Sequence, residues 1–372
     1  MKITQVEAIE VRLPESEIEE KASAAQDALI LKIQTDAGIV GIGEVDSSAR
    51  VAKAVIEAPM SHSVASGLGR LLIGMNPLDT EVINEKLYQS SFYYGRRAVV
   101  AHAIGGIDLA LWDIAGKYYK KPVYQLLGGA FSKRIRAYAS DLFGRDGKET
   151  REKAKRWADQ GFTAVKFGWA PMGQSEKMDL ELVEGARMGV GEGNDVLIDA
   201  GCCWDTKTAK VRARQFEPYQ ILWLEEPLQQ DNLDGYRELS LMSNIPIAAG
   251  EGEAGVYAWR DLIERGHIDI AQIDLARNGF TASRRIADMA EIRGLRVVNH
   301  FYSTPINMVA GLHWLVSRKS AFIFEYCVEE TAIRTQLTTP EIKAVDGYIT
   351  VPEEPGLGVG LDEDAIDRYR VG

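Results

Sequence analysis

A chain of 372 residues exceeds one ordinary core and fits an α/β barrel of about 250 residues plus a smaller domain. The formal net charge of −11, with no basic run longer than Arg96-Arg97, opposes a phosphate backbone and argues against nucleic acid as a partner. Hydrophobic residues make up 46%, but no uninterrupted apolar stretch approaches the roughly 18 residues of a spanning helix, so no membrane partner is expected.

Met1 to Val6 runs directly into an alternating strand pattern without the apolar core or cleavage site of a secretory signal, which makes the cytoplasm the expected location. Ile3 to Leu13 alternates. Ala28 to Glu44 gives two apolar runs broken by Asp36-Ala37-Gly38, so the first segment reads as a meander of about three strands. Gly38, Gly41 and Gly43 fall within this strand pattern and open no helix, which excludes a dinucleotide fingerprint.

From Arg97 to Lys117, the positions Val100, Ala103, Ile104, Ile107, Leu111 and Ile114 recur at helical spacing and predict a long helix with a buried stripe. Pro122 and the turn Leu126-Leu127-Gly128-Gly129 end this region, and a domain boundary is expected there. Eight short apolar runs then alternate with helix-like stretches: 135–140, 163–167, 196–198, 221–224, 245–249, 268–273, 295–299 and 321–324. That alternation predicts a parallel barrel. After the last run there is no eighth long helix. Val345 to Val351 and Pro355 to Gly358 read as strand and turn that pack back on the first domain.

Seven ionisable residues fall at or just beyond the predicted strand ends: Lys166, Asp199, Glu225, Glu251, Asp274, His300 and Glu325. From Asp199 onward they recur every 23 to 26 residues, one strand-plus-helix unit each time. Any one of them, taken alone, is as well explained as a helix cap or a solvated charge. In phase, they arrive together at the barrel mouth, where this architecture places active sites. Asp199, Glu225 and Glu251 on neighbouring strands would repel one another without a cation, and hard oxygen ligands select magnesium or a similar divalent ion. Glu226 should face the other way and be structural. Asp274 can orient His300 as a base, while His62, His102, His267 and His313 are read as structural. Cys202, Cys203 and Cys327 show no Cys-x-x-Cys spacing and are expected to be reduced thiols, the first two packing or lining the pocket.

Ala103 to Lys117 with Leu126-Leu127-Gly128-Gly129, then Trp223-Leu224-Glu225-Glu226-Pro227, Gly250-Glu251, Asp274 with Gly279, and Asn299-His300 together resemble the enolase superfamily, specifically its mandelate racemase subgroup. The resemblance spans essentially the whole chain. It implies an α/β fold, a modified TIM barrel (β/α)7β with an α+β N-terminal capping domain. The expected division is 1–128 for the cap, 129–327 for the barrel and 328–372 for a tail returning to the cap. It also implies Mg2+ on Asp199, Glu225 and Glu251, a His300/Asp274 dyad as general base, and Glu325 hydrogen-bonding the substrate carboxylate.

Two departures stand out. The subgroup's Lys-x-Lys reads Lys166-Phe167-Gly168 here, so the usual second base is missing and one-sided elimination outranks racemisation unless Lys166 has taken over. Gly201 occupies a place where many relatives carry asparagine. The expected activity is that of an acid-sugar dehydratase. The rivals are a racemase, epimerase or cycloisomerase of the same superfamily, or a barrel that binds metal without catalysis. The loop Pro14–Asp27 is polar and without aromatic residues, which fits a polyhydroxylated acid better than an aryl acid. A homo-oligomer is expected, and Tyr93, Tyr94 and Arg96 are placed at a subunit contact, in the core or at the mouth.

Overall fold

Alternation at the N-terminus builds three antiparallel strands, β1 (Ile3–Arg12), β2 (Asp27–Thr35) and β3 (Val40–Val45), in sheet order β1-β2-β3. The computed structural model describes residues 1–15 and 26–371, so most of the Pro14–Asp27 loop lies outside the described residues. Gly38, at φ 73°, turns β2 into β3 through its N–H to the Thr35 carbonyl.

The long helix runs from Val99 to Tyr119, two residues later than its predicted start. It is apolar enough to span a membrane by length and composition, yet 83% of its most apolar window is buried inside the protein. Its partners explain this. Gly41 and Gly43 of β3 lie so close to the helix that a Cβ on either would come 2.2 Å from a helix carbonyl. Its two buried carboxylates are satisfied: Asp108 accepts from Thr281 N–H and Oγ1, and Asp113 from Ile42, Leu357 and Lys117.

All eight predicted barrel strands form: β4 (Arg134–Leu142), β5 (Ala164–Gly168), β6 (Asp195–Asp199), β7 (Leu224–Glu225), β8 (Ile247–Ala249), β9 (Ile270–Asp274), β10 (Arg296–His300) and β11 (Phe324–Cys327). They pair in parallel from β10 round to β4, and β4 pairs with β11. Between β10 and β11 there is no ladder. The Asn299 side chain closes this seam, donating to Glu325 O at 3.2 Å and accepting from Glu325 N–H at 2.9 Å. Seven helices follow the first seven strands, and the short helix Ala332–Gln336 follows β11 in place of an eighth, which gives (β/α)7β.

The C-terminal segment touches both the barrel and the first domain, and its strand, expected on the first domain, lies on the barrel instead. Tyr348–Thr350 pairs antiparallel with the start of β4, and Val371 N–H reaches the Glu10 carbonyl of β1.

Candidate active site

Side chains on a strand repeat every second residue on one face, and this period builds the site in two layers. The barrel floor is the apolar cluster Tyr138, Ala164, Leu197, Trp223, Ala248, Ile270, Val298 and Ile323, one residue per strand or strand start. Two residues beyond six of these stand Ser140, Lys166, Asp199, Glu225, His300 and Glu325. Asp274 lies four beyond Ile270, and Glu251 follows Gly250, whose φ of 126° bends the chain over the end of β8. The predicted residues therefore share one layer because apolar side chains beneath them fix the strand faces.

The structure brings Asp199, Glu225 and Glu251 together, with one oxygen from each lying within 4.8 Å of the others. Burial pushes Asp199 well above the usual carboxylate range, with Glu225 adding to the rise, and burial also raises Glu225 against the pull of Lys166. Burial likewise raises Glu251, but His300, Lys166 and Arg277 outweigh it and hold it low. A cluster of buried carboxylate oxygens under this strain fits a hard divalent cation. Donors aim each group. Asp199 Oδ1 accepts from Gly201 N–H at 2.8 Å, and Glu225 accepts from Lys166 Nζ at 2.6 Å and from Trp223 Nε1 at 2.9 Å.

His300 Nδ1 lies 2.7 Å from Asp274 Oδ2, and its Nε2 is 3.4 Å from Glu251 Oε2. Burial opposes protonation of the ring, but Glu251, Asp274 and Glu325 outweigh it and push the imidazole up to about 10. Asn307 Nδ2, at 3.1 Å, also holds Asp274 Oδ2.

Lys166 and Glu325 sit lower than a pair of free reagents would. Lys166 Nζ is 2.6 Å from both Glu225 and Glu325, and Glu325 also accepts from Ser140 Oγ and Phe301 N–H, each at 2.8 Å. Burial works against a charged lysine, but the two glutamates outweigh it and keep the amine protonated. Glu226, at φ 35°, turns away from the other three carboxylates and accepts from Gly250 N–H, Gln230 and Cys202.

Above this layer is a cavity of about 140 Å³ whose wall includes Lys166, Trp169, Asp199, Glu251, Arg277 and His300. Neither Cys202 nor Cys203 lines it. Tyr93, Tyr94 and Arg96 do not line it either. Three contributors escaped the sequence reading. Arg277, one turn beyond Asp274, donates to Glu251 O at 2.6 Å and pairs with Asp46 at 3.0 Å. Asp46 comes from the end of β3 in the first domain, and its only sequence signal is its place just past a strand. Trp169 follows directly on Gly168. His102, read as structural, is pushed down to about 4 by burial and by Arg277, and neither ring nitrogen finds a hydrogen-bond partner.

Comparison with known proteins agrees with this architecture. Residues 4–128 match the mandelate racemase / muconate lactonizing enzyme N-terminal domain, and residues 149–365 match the enolase C-terminal domain-like family. D-galactarolactone cycloisomerase of Agrobacterium fabrum is 32% identical over 357 residues, covering 92% of this chain and 91% of that protein. D-xylonate dehydratase of Haloferax volcanii is 30% identical over 362 residues, covering 92% of this chain and 85% of that protein. The crystal structure of the 3,6-anhydro-D-galactonate cycloisomerase from Zobellia galactanivorans superposes with a TM-score of 0.90 at 31% identity, covering 100% of both chains. The barrel and its cap define an enolase-superfamily enzyme. Within that superfamily, the chain belongs to the mandelate racemase / muconate lactonizing enzyme family.

Proposed function

We propose that this enzyme is an acid-sugar dehydratase: it removes the proton α to a carboxylate and expels the β-hydroxyl, giving a 2-keto-3-deoxy acid. The observation that carries the reading is the asymmetry of the cavity. It has one oriented base, His300, while Lys166 in the cavity wall is held as an ammonium between Glu225 and Glu325 and Gly168 offers no group at all. Among the relatives, several at about 30% identity are named as dehydratases of xylonate, arabinonate and galactonate.

Asp199, Glu225 and Glu251 would hold Mg2+, which when bound supplies the positive charge that stabilises the negative charge building on the substrate carboxylate. The remaining work falls to side chains. Glu251 is the chief cause that raises the imidazole, and with its charge taken up by the cation His300 would be neutral, donating Nδ1–H to Asp274 and presenting Nε2 as a base. The C–H proton passes to Nε2 and its electron pair enters the forming C=C bond. The C–O bond to the β-hydroxyl then breaks, and the hydroxyl leaves as water with the proton returned by His300. The enol left behind tautomerises to the keto acid. Removal and return from one side suit a single histidine, whereas inversion by direct proton exchange needs a base on each face. Arg277, anchored between Asp46 and the Glu251 carbonyl, keeps the cap over this layer.

Residues 1–128 form the cap in this reading, 129–327 the barrel and 328–372 the tail, within a cytoplasmic homo-oligomer. A second reading, a cycloisomerase, is favoured by the two relatives named as such. It uses the same base with a ring oxygen as the leaving group.

The test is a screen of five- and six-carbon aldonates and aldarates with magnesium, following 2-keto acid formation and α-deuterium incorporation from D2O. Keto acid with loss of water is the expected result. Deuterium incorporation with inversion and no loss of water would refute dehydration. His300→Asn should lower α-proton exchange at least about 100-fold, in line with loss of a general base, while magnesium binding stays nearly intact. Equal exchange in both proteins would remove His300 from the mechanism.

A further inference from the structure

The two departures from the family pattern, Gly168 and Gly201, meet at one residue. Trp169 follows Gly168 at the end of β5, and its backbone lies in the left-handed region at φ 68°, an unusual place for a bulky side chain. Hydrogen bonds hold it there: Trp169 N–H donates to Asp199 O at 3.3 Å, and Met172 N–H donates to Trp169 O at 3.1 Å. Neighbouring glycines clear the space. A Cβ on Gly168 would lie 2.6 Å from Asp199 Oδ2, and a Cβ on Gly201 would lie 3.2 Å from the indole Cδ2. A side chain at either position would therefore displace a carboxylate of the proposed metal site or press on the indole.

Once placed, the ring is not buried. Trp169 is 42% exposed and lines the same cavity as Asp199 and His300. Strand order puts β5 three strands from β10 by way of β4 and β11, so the indole stands across the mouth from the base. A strained aromatic residue held open at a reaction cavity calls for a partner.

We infer that Trp169 is a specificity-determining residue whose indole face stacks on the C–H face of the sugar-acid chain beyond the α-carbon; this rests on the acid-sugar reading above. The chemistry is complementary. The ring face is electron-rich, whereas C–H groups on hydroxyl-bearing carbons carry partial positive charge, and the hydroxyls point aside toward polar wall groups such as Tyr302, whose hydroxyl has no hydrogen-bond partner among the described residues. The same platform stands where the family pattern has its second base, so the side of the substrate away from His300 meets the indole and an ammonium, Lys166, already engaged by Glu225 and Glu325.

Chain length provides the test. Affinities of glycerate and of five- and six-carbon aldonates for the magnesium-loaded enzyme are measured by calorimetry in wild type, Trp169→Ala and Trp169→Phe. Stacking predicts that Trp169→Ala weakens the long aldonates about tenfold and glycerate by less than about twofold, since glycerate has almost no chain to stack. Trp169→Phe should recover most of the loss, and with any acid that is turned over, KM should rise more than kcat falls. Equal weakening of glycerate and aldonates would assign Trp169 a structural role and overturn the inference. Unchanged aldonate affinity would do the same while leaving the dehydratase reading intact. A wild-type enzyme that neither binds nor converts any hydroxy acid would overturn that reading and the platform with it.

Discussion

His313 sits on the barrel helix Pro305–Val316, fully buried where that helix meets the linker before the barrel and the C-terminal tail. Its Nδ1 accepts from Tyr124 N–H at 3.4 Å, its Nε2 donates to Leu357 O at 3.0 Å, and the ring stacks on Tyr124 with centroids 5.9 Å apart. Both nitrogens are used by one neutral tautomer, so a second proton would cost the Tyr124 bond. Burial pushes the imidazole down from 6.5 to about 4, with the Leu357 carbonyl only partly opposing. Because the folded value lies below the unfolded one, the unfolded chain takes the proton first. The contribution of His313 to stability is therefore complete above about pH 6.5 and is lost as pH falls toward 4. In that window each pH unit lowers stability by about 1.4 kcal/mol, so the loss at pH 5 is about 2 kcal/mol. Urea unfolding of wild type and His313→Gln at pH 7.5 and pH 5 measures it, the amide keeping polar contacts without titrating. The wild type should lose about 2 kcal/mol more than the variant over this interval. Parallel losses would refute a neutral, proton-excluding His313.

Gly168→Ala places a Cβ 2.6 Å from Asp199 Oδ2, so magnesium affinity should fall at least about tenfold by metal-dependent thermal shift. An unchanged affinity would mean that Asp199 moves freely and is not held for a cation. Lys166→Met removes the ammonium between Glu225 and Glu325, a buried pairing whose rupture costs about 3–5 kcal/mol. The drop in melting temperature should be larger in chelator than in magnesium, since a cation on Glu225 offsets part of the lost charge. Equal drops in both conditions would place the metal elsewhere.

Much of the barrel was legible because its signal is repetitive. Eight apolar runs at near-equal spacing leave little choice of fold, and the residue at each strand end inherits its place from the floor residue beneath it. The two layers are visible in pairs such as Leu197 and Asp199, or Val298 and His300. What one chain pattern does not encode is a contact between distant segments. Asp46 and Arg277 meet across the domain junction, and Glu44, read only as a strand residue, accepts from Thr304 and Asn307 at the start of a barrel helix. Nor does it encode an unusual backbone state. Nothing in Gly168-Trp169 announces that the tryptophan adopts φ 68°. The barrel seam was hidden for the same reason: Asn299 matches a family motif beside a histidine, while its side chain does the work of a missing ladder.

Gly201 shows how a departure from a family pattern can leave its chemistry in place. Glycine in place of the asparagine expected from the family resemblance offers no polar side chain, yet Asp199 accepts a 2.8 Å hydrogen bond from the backbone N–H of Gly201 itself, which sits at φ 57°. The carboxylate stays aimed by a backbone group that only a proline would delete, and such supporting donors matter to metal affinity nearly as much as the ligands. Glu225 is fixed on both oxygens by Lys166 and Trp223, and Glu251 is approached by His300 Nε2. Each of the three carboxylates is thus oriented from a different source: a backbone amide, the Lys166 and Trp223 side chains, and the base. Gly201 therefore removes a side chain from the mouth without loosening the cluster, and the space it vacates is the space against which the Trp169 indole packs.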